Sequence, residues 1–413
     1  MAPAQPEQGK LVVKIRDFLG LRRNVVVLSL AISIAGFGTQ LWTRFLPKYL
    51  EALGASVFII GIYGSLRNTL ITAYRYPAGI MVDKLGRRYS LVVFSILALG
   101  GYILYLLSPN WQWVLFGLLF VAVWDNLEPA VFATIGDSLP QNRRAIGFTV
   151  QSILRRVPLM LAPPIGGIII VRFGLVDGVR GGLLITILVA IITTFVLYRY
   201  YVESRAKTEP KTGSLWRLLK EMDPNLKKLL ISDCLVRIGA GICQVFIVLY
   251  AINVVGIDSF QFGLLVSIQT LTSILVYIPV AKLSDRMSRK PFVALTFVFF
   301  CLFPLLLTIS RSFGWLVLAF IIGGLREIGE PPRKALIVDL ASPDARGREV
   351  GIYYAIRGLV VMPAPVIGGL LWQVTPVILF YTASSVIFAG LLQFIFWGPH
   401  STGSVTSPPQ DRL

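Results

Sequence analysis

Apolar runs of roughly bilayer-spanning length recur from Val25 to Trp397, and no other feature constrains the fold as strongly. A helix needs about 20 apolar residues to cross the hydrocarbon core, and only helices or closed barrels satisfy their own backbone hydrogen bonds there. The alternating apolar and polar pattern of a membrane barrel is absent. The expected class is therefore all-α and integral to a membrane. Twelve transmembrane segments are placed at roughly 24–47, 57–81, 89–108, 112–136, 146–171, 181–202, 228–253, 259–281, 290–310, 314–338, 349–372 and 375–398. Hydrophobic residues make up 55% of the chain and charged residues 15%, with a mean hydropathy of +0.73. A soluble domain has too little interior to hide that much apolar surface.

A net charge of +18 would suit nucleic-acid binding if the basic residues formed one patch, and they do not. They collect in alternate loops: Lys10 to Arg23, Lys84 to Arg88, Arg143 and Arg144, Arg205 to Lys228, Arg286 to Lys290, and Arg346 with Arg348. The opposite loops hold little beyond Lys48, Arg172, Arg180 and Arg311. By the positive-inside rule the first set is cytoplasmic, so both termini are expected inside, with an even number of spans. The expected location is the cell (inner or plasma) membrane, multi-pass. Residues 1–23 are polar and basic and the first apolar run exceeds a signal-peptide h-region, so no cleavable signal is expected. Residues 203–227 are the longest polar interval, with a short amphipathic piece, Leu215 to Lys220. They read as a cytoplasmic linker, either plain or carrying a helix on the membrane face. The division is 1–202, an N-terminal six-helix bundle; 203–227, the linker; and 228–413, a C-terminal six-helix bundle with a short tail. Cys234, Cys243 and Cys301 form neither a disulfide framework nor a zinc spacing, and the one histidine, His400, is in the tail. No metal or cofactor is expected, and the protein reads as a monomer in the lipid bilayer.

The two halves align at a shift of about 202 residues. Pro77 matches Pro279, Asp83 Asp285, Arg87 Arg289, Glu128 Glu330, Asp137 Asp339, Arg155 Arg357, and Gly166-Gly167 Gly368-Gly369. Transporters built from such repeats bind substrate near the midplane, between the halves. Gly79-x-x-x-Asp83-Lys84-x-Gly86-Arg87-Arg88 falls between the second and third segments. It resembles the loop signature of the major facilitator superfamily, G-x-x-x-D-[RK]-x-G-R-[RK]. The second copy, with Asp285 and Arg289, is degraded: Ala281 and Ser288 stand where that signature has glycines. Gly86 permits a tight turn. Asp137-x6-Arg144 and Asp339-x6-Arg346 repeat one acid-to-base spacing. The resemblance implies that Gly79, Asp83, Lys84, Gly86, Arg87, Arg88, Asp137, Arg144, Asp285, Arg289, Asp339 and Arg346 form a cytoplasmic gate, latched when the cavity opens outward. The competing reading is charge that only sets topology.

Charges within spans cost about 2.5–3.5 kcal/mol each near mid-bilayer on insertion scales, so each needs a reason. The third, sixth, ninth and twelfth segments have none in their apolar cores. In the resembled family those are the peripheral helices and the rest line the cavity. Mid-helix groups are Arg67, Arg75, Arg155, Arg156, Arg237, Arg326 and Arg357 against Asp125, Glu128, Asp233, Glu327 and Glu330, an excess of two positive charges. This favours an anionic or zwitterionic substrate, unless all are mutually paired. Arg155 and Arg156 point about 100° apart on a helix, and the repeat with Arg357 selects Arg155 as the one facing the cavity. Pseudo-symmetric arginines can clamp a carboxylate or phosphate. Candidate substrate-binding residues are thus Arg67, Arg155, Arg237, Arg326 and Arg357, with Trp124 and Tyr353 as stacking partners. Asp125 and Glu327 are the first candidates for a coupling proton, while Glu128 and Glu330 suit either that role or structural pairing.

Ala162-Pro163-Pro164-Ile165-Gly166-Gly167 resembles the end of the family's antiporter motif G-P-x-x-G-G, with alanine for its leading glycine. The expected function is secondary active transport of a small organic solute by alternating access, proton-coupled, with export by antiport in front. Lipophilic-cation or multidrug efflux by proton antiport, proton-symport uptake, and a non-transporting receptor on the same fold stay open. The chain lacks a G-x-x-x-x-G-K-[ST] loop and an H-E-x-x-H motif, which speaks against a primary pump and a zincin-type enzyme. An enzyme is not expected.

Overall fold

A computed structural model describes residues 23–124, 141–201, 222–284, 287–342 and 346–399. Those residues form helices and short connections, without strands. The first half holds Arg23–Gln40, Val57–Leu85, Arg87–Leu106, Trp111–Val121, Gln141–Phe173 and Leu175–Tyr200. The second holds Pro224–Gln244, Ser259–Ser284, Lys290–Ile309, Phe313–Leu325, Glu330–Leu340, Arg346–Val361, Ala364–Val374 and Pro376–Trp397. Seven described helical spans, Arg346–Val374 counted as one, are long and apolar enough to cross a membrane, or eight when Pro224–Gln244 and Ile247–Val254, bent by 43°, count as one span. The interval Leu215 to Lys220, Asp125, Glu128, Asp137, Asp285 and His400 lie outside the described residues.

Several expected segments are broken, each where the chemistry demands it. The first stops at Gln40 and resumes through a turn, Thr43–Phe45, into Leu46–Ala52, with Pro47 early in that second helix. The tenth is interrupted between Leu325 and Glu330, because Pro331 and Pro332 lack the N–H of a continuing helix but suit its first turn. The eleventh breaks at Val361 and restarts at Ala364, beside Pro363 and Pro365.

The repeat is visible in the turns. Gly54 and Gly256, one repeat apart, adopt φ of 86° and 83°, a left-handed conformation that favours glycine. Two residues on, Ser56 Oγ accepts from Ile59 N at 3.3 Å and Asp258 Oδ1 accepts from Gln261 N at 2.7 Å, so both following helices start on a side-chain cap.

Within the first half, Arg23–Gln40 lies against Gln141–Phe173 and Leu175–Tyr200; within the second, Pro224–Gln244 and Lys290–Ile309 lie against Pro376–Trp397. The halves meet chiefly where Gln141–Phe173 crosses Ser259–Ser284 and where Val57–Leu85 crosses Ala364–Val374. One apolar core crosses between halves, joining Leu41, Phe45 and Ala162 to Phe246, Phe262 and Phe320. It occupies the end of the molecule carrying Gly54 and Gly256. At the other end, which carries Gly86 and Arg289, the cores separate: Leu28, Leu91 and Phe94 belong to the first half, Val293, Phe297 and Ile352 to the second. Leu188, Ile192 and Phe195 on one flank and Phe388, Phe396 and Trp397 on the other stay exposed, as lipid-facing side chains do.

Candidate functional site

The separated ends enclose a cavity of about 830 Å³ between the halves. Its closure at the Gly54 end is tight because small residues let backbones touch. A Cβ on Gly61 would lie 2.6 Å from the Pro365 carbonyl oxygen, and one on Gly64 2.8 Å from Pro365 Cβ. A Cβ on Gly167 would lie 2.7 Å from Phe260 Cα, and one on Gly263 2.7 Å from Pro164 Cα. Phe45 meets Phe262 edge to face at 5.7 Å between ring centres, and Phe262 meets Phe320 at 6.1 Å, which floors the cavity with rings from both halves. Beyond them, Asn253 of the second half donates to Glu51 Oε1 at 2.8 Å and accepts from Lys48 of the first. At the Gly86 end a Cβ on Gly79, Gly347 or Gly351 would meet none of the described residues within 4 Å. The cavity opens at that end.

Its wall is strongly basic. Among the described residues it is lined by Arg44, Arg67, Arg75, Arg155, Arg156, Arg237, Arg326, Lys334 and Arg357, against Glu327 and Glu330 alone as acids. The sequence reading counts an excess of two; in the structure Asp233 does not line the wall, and Arg44 and Lys334 do. The expected peripheral helices contribute one lining side chain, Phe300, and no charge.

Part of this charge is neutralised in one cluster behind the wall. Asp233 is fully buried and accepts from Arg333 Nη1 at 2.5 Å, Arg357 Nη1 at 3.1 Å and the Tyr353 hydroxyl at 2.9 Å, with Arg237 Nε at 3.5 Å. Glu330 takes both oxygens to Arg333 Nη2 at 2.8 Å and also pairs with Arg237. Two carboxylates thus serve three guanidiniums. Asp233 and Arg237 are four apart and Glu330 and Arg333 three apart, the helical spacings that bring side chains together. Those spacings were the available signal for Arg333, which sequence reasoning left out of the site.

A second pair joins the halves at mid-cavity. Arg156 Nη2 meets Glu327 Oε2 at 3.1 Å, its Nη1 donates to Ser273 Oγ at 2.6 Å, and its guanidinium lies 4.8 Å above the Tyr277 ring. Arg155 and Arg156 both line the wall, and Arg156 bridges to the second half through Glu327. A wide cavity meets two faces of a helix, so repeat matching does not identify the bridging side chain.

Arg67, Arg155, Arg237, Arg326, Arg357, Glu327 and Glu330 therefore share one cavity. Trp124 and Tyr353 do not join them. Trp124 sits with Tyr102 and Thr186 around a small gap inside the first half, and Tyr353 is buried on Asp233. Tyr354 instead stacks under Arg357, 4.7 Å from its guanidinium. Arg44 was not singled out because it stands where the first apolar run turns polar.

Of the expected gate residues, Arg289 pairs with Asp339 within the second half, so Asp339 is engaged with Arg289 rather than with Arg346 seven residues on. Arg88 donates to the Tyr198 carbonyl, Arg87 is buried, Lys84 and Arg346 are exposed, and Gly86 holds φ of 86° between its two helices. Asp83 and Arg144 are placed by backbone alone.

The family model "Major Facilitator Superfamily" matches residues 26–254 and 229–412. An uncharacterized MFS-type transporter of Methanocaldococcus jannaschii is 23% identical over 381 residues, covering 90% of this chain and 94% of that one. The multidrug resistance protein MdtG of Escherichia coli is 24% identical over 369 residues, 84% of this chain and 87% of its own. The crystal structure of a POT family transporter in complex with a thioalcohol-conjugated peptide superposes with a TM-score of 0.75 at 16% identity, covering 92% of this chain and 97% of that one.

Proposed function

We propose that this chain, which belongs to the Major Facilitator Superfamily of transporters, is a proton-coupled secondary carrier for a small organic anion or zwitterion. The observation that carries this reading is the cavity between the halves, whose described lining has nine basic side chains and two acidic ones. Few cations would enter such a field, and an anion entering it replaces the lost hydration with guanidinium donors. The two ends, one closed by glycine-mediated contact and the other open, support alternating access as the proposed mechanism. In the proposed topology twelve spans form two six-helix bundles, residues 1–202 and 228–413, joined by the linker 203–227, with the termini and the Gly86 end in the cytoplasm. The conformation is then inward-open.

Glu327 is the proposed proton carrier on the second half, with Asp125 as its repeat partner. It is 38% exposed and holds one partner, Arg156, whereas Glu330 is fixed between Arg237 and Arg333. An anion that binds Arg156 competes with Glu327 for that guanidinium, which would link solute binding to the carboxylate. Asp83, Lys84, Arg87 and Arg88 with Asp137 and Arg144, and Asp285, Arg289, Asp339 and Arg346 opposite, form the gate that closes when the cavity faces outward. Export is the proposed direction, supported by the similarity to a protein named for multidrug resistance. That name also favours a second reading, efflux of lipophilic cations.

A thermal-shift panel of organic anions, cations, sugars and zwitterions on purified protein separates the two. A ligand at about 100 times its Kd stabilises by about 2.7 kcal/mol. Stabilisation by anions that Arg67→Gln weakens supports the anion reading. Stabilisation by lipophilic cations, unchanged or improved in that variant, overturns it.

A further inference from the structure

We infer that the closed end of the cavity binds a second anionic group, so that the solute carries at least two negative charges. This rests on the anion reading above and narrows it.

The basic side chains of the cavity stand at different depths. Arg156 and its partner Glu327 define the middle. Arg44 and Arg326 define the closed end, because both stand on its aromatic floor. Arg44 precedes Phe45, which packs on Phe262. Arg326 lies 4.3 Å above Phe303, whose ring meets Phe320 at 5.6 Å, and Phe320 meets Phe262. Arg44 and Arg326 both line the cavity, as do Arg67 and Arg237. Like charges are thus concentrated where the aqueous opening is farthest.

Neither Arg44 nor Arg326 has a carboxylate partner among the described residues, whereas Arg156, Arg237, Arg333 and Arg357 each have one. Arg326 is held without being neutralised: its Nε donates to the Gly323 carbonyl at 2.8 Å and its planar faces meet Phe300 and Phe303. Those contacts fix the plane and leave the terminal amino groups, the fork that grips an oxyanion in bidentate fashion. Guanidiniums gathered away from bulk water repel one another unless a counter-charge joins them. A single anionic group at Arg156 must displace Glu327, and it leaves the closed end uncompensated. A group at Arg44 and Arg326 breaks no ion pair among the described residues, although Glu327 follows Arg326 in the chain. A solute with two separated oxyanions satisfies both levels.

The test uses the full chain in nanodiscs at fixed ionic strength and a series differing in charge: butyrate, succinate and tricarballylate, with phenyl phosphate as a single divalent group. Wild type should bind succinate or tricarballylate at least tenfold more tightly than butyrate. Arg44→Gln and Arg326→Gln should each shrink that ratio at least fivefold. Arg326→Lys, which keeps the charge and guards against misfolding, should retain most of the ratio, and Arg199→Gln on an exposed helix face should retain all of it. Phenyl phosphate binding with the same dependence, and no preference among the carboxylates, would place both charges on one group and overturn the second-group inference. Equal affinity across the charge series overturns the inference and leaves the anion reading standing. Binding of lipophilic cations with no anion bound overturns both.

Discussion

Removal of the Asp233 charge, by Asp233→Asn, should be among the most damaging single changes in the second half. Asp233 has no exposed surface and Arg333 only 2%, so water cannot replace the lost counter-charge. The cluster holds Asp233 and Glu330 against Arg237, Arg333 and Arg357. The variant leaves three guanidiniums to one carboxylate, and the amide offers Arg333 a neutral acceptor where a charged one stood at 2.5 Å. Breaking a buried pair by removing one partner costs about 3–5 kcal/mol, which is roughly two to three and a half powers of ten in the unfolding equilibrium. The same physics predicts rescue. In Asp233→Asn/Arg333→Met both buried partners go together, and exchanging a buried pair for apolar volume is often neutral. The double variant should recover at least half of the loss, despite carrying one more substitution. Reversible unfolding in mixed micelles, followed by tryptophan fluorescence, measures both. A single-variant loss below about 1 kcal/mol, the scale of an exposed pair, or a double variant no more stable than the single, would refute the assignment of Asp233 as the counter-charge of Arg333.

Three further outcomes follow from the same geometry. Gly167→Leu should disfavour the inward-open state, because even a Cβ there would approach Phe260 Cα to 2.7 Å; a cysteine placed at Gly79 should then react with a water-soluble maleimide at least several-fold more slowly, and unchanged labelling would count against glycine-mediated closure. Asn253→Ala should weaken the contact with Lys48 and Glu51 and shift the balance outward, read as faster labelling of a cysteine introduced beside Phe45; slower labelling would contradict it. Glu327→Gln should abolish transport driven by a pH gradient while sparing solute exchange, and equal loss of both activities would assign Glu327 a structural role.

The helical class was legible because it rests on local statistics, apolar run length above all; matched residues such as Pro77 and Pro279 both lie inside helices. The helix breaks were less legible. Pro331, Pro332, Pro363 and Pro365 were in view, but a proline inside an apolar run either kinks a span or starts its second piece, and the tertiary context decides. Side-chain partners were harder still. That Glu330 carried a structural pairing was one of the two sequence readings, and its grip on Arg333 and Arg237 matches that alternative. That Arg156 bridges the halves through Glu327 depended on cavity width, which no residue spacing encodes. Tyr353 and Tyr354 are adjacent, and only packing sets one on Asp233 and the other under Arg357.

The two halves differ in a way that bears on how such a protein can change its substrate without losing its motion. Positions that shape the movement are matched: Gly54 with Gly256, Pro77 with Pro279, Gly167 with Gly369. Positions that carry charge into the cavity are mostly not. Arg44, Arg67, Arg75 and Arg156 stand opposite Phe246, Gln269, Tyr277 and Gly358, and Arg237 and Arg326 stand opposite Ala35 and Trp124. Rocking of two bundles about a shared axis requires similar hinges and similar close approaches in both, so that part of the repeat resists drift. The cavity wall needs only a total charge and a shape, and either half can supply each element. Arg156 shows the consequence: its cross-half partners Ser273 and Tyr277 have Ile71 and Arg75 as their repeat counterparts, so the bridge exists in one direction only. A symmetric wall would present an elongated solute with two equivalent orientations. On the proposed function, this asymmetric wall, with its arginines at the closed end and the Arg156–Glu327 pair at the middle, would favour one.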